Sequence, residues 1–104
     1  MATECPIALS MDEIGDSWRI LILRDALDGR RRFDEFQENL GIATNILSQR
    51  LHALVSDGLL ERRPYQERPT RYEYVPTAKA RELRPVFAAL FRWGTKWLQS
   101  RRPA

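Results

Sequence analysis

The chain carries a single cysteine, Cys5. One thiol cannot build an internal disulfide framework, so an oxidising compartment is not implied. It carries a single histidine, His52, which cannot complete a metal cluster with one distant cysteine. There is no glycine-rich phosphate loop, and no spacing pairs a nucleophile with a base. These gaps remove the enzyme readings, and no metal or other cofactor is expected. The longest strongly apolar run is residues 20–23, far too short to cross a bilayer. The first ten residues lack the positive region and apolar stretch of a signal peptide. A cytoplasmic protein with no membrane partner is expected. Lysine is also scarce: Lys79 and Lys96 are the only two among 17 cations, and the others are arginines. Arginine suits forked contacts to phosphate or carboxylate.

What is present fits one small domain over residues 1–104. Hydrophobic residues make up 43% and charged residues 30%, ordinary values for a globular chain. A domain of this size buries a modest core, and many such chains gain stability by pairing. The net charge of +3 is too small to identify a polyanion partner, so the placement of the cations decides.

Pro6 suits a helix start, where its missing N–H is not needed, and Gly15 closes that helix after Ile7, Leu9, Met11 and Ile14. Asp16 or Ser17 caps a second helix with an apolar face of Trp18, Ile22, Leu23, Ala26 and Leu27, ending at Asp28-Gly29. After Arg30, Arg31 and Arg32, the spacing of Phe33, Phe36 and Leu40 predicts a short helix ending at Gly41, with Asp34, Glu35 and Glu38 on its solvated face. Ile42-Ala43 is a connection tight enough for a helix-turn-helix unit over 33–57. Strand formers at 59–65 and 71–75 around a polar turn at 66–70 predict a hairpin, the wing, over 59–76. Thr77 caps a last helix reaching Gln99, which Pro85 is expected to kink. The expected fold is mainly α with a small β-hairpin: a winged helix-turn-helix.

The helix of residues 44–57 carries the argument for function. At 100° per residue, Leu47, Leu51 and Leu54 share one narrow arc. Asn45, Gln49 and His52 lie opposite, with Ser48 on the flank and Thr44 at the front. Amide and hydroxyl side chains on outer N-terminal turns are what major-groove reading requires. Free N–H groups at a helix start also favour phosphate. Arg50 lies nearer the core edge, where it reaches a phosphate or an acidic neighbour. Arg31 and Arg32 before the helix pair, and Arg68 and Arg71 on the hairpin, place cations on both sides, as a phosphate-gripping footprint does. A merely solvated polar face, and an Arg71 paired with Glu73 or Glu61, are the plainer alternatives.

These residues resemble the HxlR-type winged helix-turn-helix transcriptional regulators of bacteria and archaea. The resemblance runs from Cys5-Pro6 through Ile14-Gly15-Asp16-Ser17-Trp18, Ile22-Leu23-Arg24, Arg32-Phe33-Asp34-Glu35-Phe36 and Gly41-Ile42. It is densest over Asn45-Ile46-Leu47-Ser48-Gln49-Arg50-Leu51 and continues to Arg62, then through Pro69, Arg71, Glu73-Tyr74 and Thr77. The chain departs at Ser17, where the family usually has a basic residue, and at Ala80, where it often has glycine.

The resemblance implies a homodimer on a roughly palindromic double-stranded operator, acting as a repressor or dual regulator of a nearby operon. It implies dimerisation through the terminal helices, 1–15 and 78–104. Apolar residues on more than one stripe of the last helix fit this, because the surplus needs a partner. Ile7, Phe87, Leu90, Phe91 and Trp97 are the candidates. Some relatives sense electrophiles or oxidants through an N-terminal cysteine. Cys5 is the candidate sensor, since a helix start favours the reactive thiolate form; a small buried or capping cysteine is the other reading. A small-molecule effector is the third option, in a pocket between helices lined by Trp18, Phe87 and Trp93. The rival to DNA binding is a winged-helix protein-interaction module.

Overall fold

The computed structural model describes residues 5–99. Helix α1 (Pro6–Ile14) begins with Pro6 behind Cys5, and Gly15 follows as its C-cap. Helix α2 (Ser17–Leu27) is capped by Asp16, whose carboxylate accepts from the Arg19 N–H at 2.9 Å. Helix α3 (Phe33–Leu40) ends at Gly41 with φ of 64°, a left-handed conformation that costs other L-residues about 1–2 kcal/mol. That turn lets α4 (Thr44–Ser56) follow after only two more residues. The helix-turn-helix is therefore present with the expected bounds, within a residue.

The wing's strands reach further toward its tip than the sequence suggests. Strand β1 (Leu60–Glu67) pairs antiparallel with β2 (Thr70–Pro76), from Leu60 against Pro76 out to Glu67 against Thr70. The polar residues expected to form the turn extend the ladder instead, since backbone pairing does not need apolar side chains. The register slips between Pro64 and Gln66, leaving Tyr65 unpaired. Tyr74 N–H donates outward to the Arg31 carbonyl at 2.7 Å, tying β2 to the segment before α3.

The last helix is not one kinked helix but two. Helix α5 (Ala78–Arg81) is capped by Thr77, and α6 (Arg84–Trp97) restarts beyond it. Pro85 has no N–H to give the Arg81 carbonyl, and its ring would collide with that carbonyl, so the helix ends one turn earlier. The terminal spans expected to dimerise extend past the described residues at 1–4 and 100–104.

The core joins Ile14 of α1, Ile22, Leu23 and Ala26 of α2, Phe36 of α3 and the leucines of α4. Leu59, Leu60 and Ala80 close it from the wing side. Ala80 is fully buried, so a methyl group is accommodated at this position. Helix α6 has no buried residue. Among the described residues no helix is long and apolar enough to cross a membrane.

Candidate nucleic-acid interface

Leu47, Leu51 and Leu54 are at most 1% exposed, and their burial sets the rotation of α4. Thr44, Asn45, Ser48, Gln49 and His52 are all exposed as a result. The N-cap of α4 is Ala43, whose side chain cannot accept from the first turn. The leading N–H groups are thereby left to an external acceptor, and a phosphate at a helix start is a favourable one.

Arg50 lies on the same helix but belongs to a different system. Its Nε is 3.1 Å from Asp16 Oδ2 and its Nη2 is 3.3 Å from Oδ1, a two-pronged bond to the cap of α2. That bond, then the Arg19 backbone N–H, holds the Asp16 carboxyl below the usual carboxylate range, and the same bond raises Arg50. Arg50 therefore fixes α4 against α2, the acidic-neighbour alternative.

A second ion pair grips the far end of α4. Arg19 Nη1 bonds Asp57 Oδ2 at 2.8 Å and the Glu13 carbonyl at 2.7 Å. Lys79 Nζ bonds Glu13 Oε2 at 2.7 Å and the Asp57 carbonyl at 2.9 Å. Helices α1, α2, α4 and α5 thus share one polar clasp around the C-terminus of α4. Sequence reasoning missed it, because its members are spread from Glu13 to Lys79 and carry no local spacing.

The segment before α3 is also tied down. Arg31, expected at DNA, turns inward: its Nη1 donates to the carbonyls of Ala26 at 2.7 Å and Arg30 at 2.9 Å. Glu35, expected only to be solvated, accepts the backbone N–H of Arg31 at 2.8 Å and of Arg32 at 3.0 Å. Those two bonds lower its carboxyl below the usual range. Arg32 remains exposed, with its guanidinium carbon 4.3 Å from the centre of the Tyr65 ring. At the wing, Arg68 and Arg71 are exposed and form no ion pair among the described residues; Glu61 pairs with Arg63 instead.

Asp25 is the buried charge that the sequence conceals within an apolar helix. It is 0% exposed and accepts from Arg24 at 3.1 and 3.2 Å and from Asn39 Nδ2 at 2.9 Å, with Arg30 at 4.0 Å. The carboxylate thereby fastens α3 to α2. A signal was available: an acid at Asp25 lies between Ile22-Leu23 and Ala26-Leu27, where an unpaired charge could not be buried.

The remaining expected residues fall outside this face. Cys5 is exposed at the N-cap of α1 and makes no capping bond. Ile7, Leu90, Phe91 and Trp97 are exposed, Phe91 by 75%. Phe87 is half-buried and packs on the chain's own core. A groove of about 760 Å³ runs between α2 and α6 and includes Ile20, Leu27, Phe87 and Phe91 in its walls. Neither Trp18 nor Trp93, expected in such a pocket, lines it. Trp18 instead packs on the core. Among the described residues no cluster of three His, Cys, Asp or Glu could hold a metal ion.

Residues 13–102 match the profile of an HxlR-like helix-turn-helix family. A protein of Mycobacterium bovis described as an HTH-type transcriptional regulator is 40% identical over 92 residues, covering 88% of this chain and 58% of that protein. The chain thus spans little more than half the length of that curated relative. A solved structure from Pseudomonas aeruginosa, PA1374, described as a candidate transcription factor, is 53% identical with a TM-score of 0.72, covering 96% of this chain and 69% of that one. The redox regulator HypR in its reduced form is 30% identical with a TM-score of 0.82, covering 88% and 92%.

The Asp16–Arg50 geometry gives a pH dependence of known sign. A depressed folded pKa contributes stability fully present above the unfolded value of about 3.9 and lost as pH falls through the folded value. Denaturant midpoints of the parent and Asp16→Asn, measured from about pH 7 to about pH 2, should converge on the acid side. A parent advantage that grew on acidification would contradict this assignment.

Proposed function

We propose, from the premise that this chain belongs to the HxlR-like helix-turn-helix family, that it is a sequence-specific regulator of transcription that binds a palindromic double-stranded DNA operator as a homodimer. The observation that carries this reading is the face of α4. Its leucines are buried, and Thr44, Asn45, Ser48, Gln49 and His52 are exposed. Such a helix lies in the major groove, where Asn45 and Gln49 have the paired donor and acceptor that match adenine. Arg32, Arg68 and Arg71 supply phosphate or minor-groove contacts on either side. Arg31 and Arg50 act from behind, by holding the reading helix and its entry segment. Cytoplasmic placement, where the DNA is, accords with this role.

Pairing is supported by α6 and α1. Leu90, Phe91, Trp93 and Trp97 are each at least half exposed, as is Ile7. Exposed apolar side chains of this number and size mark an association site. A second copy satisfies it and places two reading helices one DNA turn, or a multiple, apart. Cys5 is the proposed entry point for an electrophile or oxidant. It is exposed at the start of α1, and the redox regulator HypR shares the fold. Modification of its thiol shifts the dimer and alters DNA affinity.

Binding to operator and random duplexes tests the reading. Gln49→Ala should cost about 1–3 kcal/mol on the operator and relax specificity, while Arg68→Ala should weaken all duplexes alike and lower the salt slope by about one. If the parent discriminates no duplex from another but binds an acidic protein, the interaction-module reading replaces this one. Phe91→Glu should shift the sedimenting species from dimer to monomer; an unchanged dimer would remove α6 from the interface. Cys5→Ser should abolish release from DNA by a thiol-reactive electrophile, and release that persists would place the sensor elsewhere.

A further inference from the structure

The wing packs on the core through its inner end, by Leu60 and Tyr74. Leu60 and Pro76 are buried, while most of the hairpin beyond them is exposed. A lone two-stranded hairpin is marginal in water, so something must fix the angle of this one if Arg68 and Arg71 are to meet the DNA in register. The structure offers a device at the register slip. Pro64 has no N–H for the ladder, and Tyr65, next to it, pairs with nothing on β2. A bulge of this kind re-aims a side chain. The re-aimed ring lies against Arg32, 4.3 Å from its guanidinium carbon, at the entry to α3.

The partner of that ring is itself immobilised. Arg32 and Arg31 give their N–H groups to one oxygen of Glu35, and the Arg31 carbonyl takes the Tyr74 N–H. The α3 entry is therefore bonded to the outer edge of β2 at one point and stacked on β1 at another. Two separate attachments define an angle, where one would leave a pivot. Within the wing, Arg62 stacks on Tyr72 at 4.1 Å, a diagonal contact that stiffens the hairpin itself.

We infer that Tyr65 is a positioning residue for DNA binding: its ring fixes the wing to Arg32 and at the same time holds the Arg32 guanidinium ready for a phosphate. Stacking covers only a face of the guanidinium and leaves its N–H edge available. Arg32 forms no ion pair among the described residues, so that edge is not spent on a carboxylate. Tyr65 itself touches no DNA; it acts through Arg32 and through the wing arginines. The inference rests on the DNA-binding reading.

The test uses the full chain. Tyr65→Leu keeps apolar bulk but removes the ring, and Tyr65→Phe keeps the ring. Tyr65→Leu should weaken operator binding about three- to tenfold, the range expected for a cation–π contact and the order it imposes. Its salt slope should fall, its far-ultraviolet circular dichroism should match the parent, and hydroxyl-radical protection should fade at the wing's contacts while persisting in the major groove. Tyr65→Phe should restore the parent values. Arg32→Ala combined with Tyr65→Leu should be less than additive, because each removes the same stack. In the free protein, Tyr65→Leu should move the Arg32 Nε–H resonance, which the ring current shifts, even if DNA binding is not measurable. Parental affinity and footprint in Tyr65→Leu, or strict additivity with Arg32→Ala, overturns the positioning role. Failure of the parent itself to bind duplex overturns the DNA reading, and the Arg32 resonance then still reports whether the stack exists.

Discussion

The burial of three leucines on α4 is the constraint on which the remaining features depend. Leu47, Leu51 and Leu54 occupy one arc and are almost wholly removed from water. Truncating a buried leucine costs about 2–5 kcal/mol, more than any single polar contact of this helix can offer. The helix is therefore not free to roll, and the amide and hydroxyl side chains opposite the stripe have one orientation available. Gly41 serves the same end, because its left-handed turn lets α3 close the core beneath α4 within three residues.

Electrostatics then refine what burial imposes. The Arg50–Asp16 and Arg19–Asp57 pairs lie at partly exposed sites, where ion pairs contribute about 0–1 kcal/mol each. Their value is directional. One grips α4 at its middle and the other at its end, so the helix is restrained against sliding along its axis, which an apolar stripe resists poorly. Asp25 differs because it is fully buried, and removing its partners would leave an uncompensated charge. Arg24, Asn39 and Arg30 have little freedom to leave it, which makes the joint between α2 and α3 a defined one. The clasp of Glu13, Lys79, Asp57 and Arg19 also joins α1 to α4.

The parts that periodicity governs were legible. The bounds of α3 and α4, the identity of the buried leucines and the exposed polar face all follow from spacing along one helix. The wing and the last helix were partly legible. Their existence showed in the strand formers around Tyr72 and in the apolar stripe around Phe87. The length of the strands and the break in the last helix did not, because ladder pairing at Gln66–Glu67 and the clash a continuous helix would force between the Pro85 ring and the Arg81 carbonyl are backbone matters. Arginine roles were the least legible. Arg31, Arg32, Arg50 and Arg68 look alike in a sequence, and only their neighbours distinguish a group bonded to Ala26, one stacked on Tyr65, one held by Asp16 and one left in solvent.

The sequence by itself determined the helix-turn-helix, the hairpin, the face of α4 that looks outward and the aromatic surplus on α6. These are consequences of side-chain volume and polarity repeating at the period of the backbone, and that information is local. Tertiary structure alone decided which cations are left unpaired among the described residues, that Asp25 is a buried joint, that Phe87 packs on the chain's own core, and that a one-residue slip turns Tyr65 onto Arg32. Each of these depends on which groups meet across tens of residues. Charge and hydrogen-bonding capacity do not declare their partners until the apolar residues have packed and brought them within about 3 Å of one another.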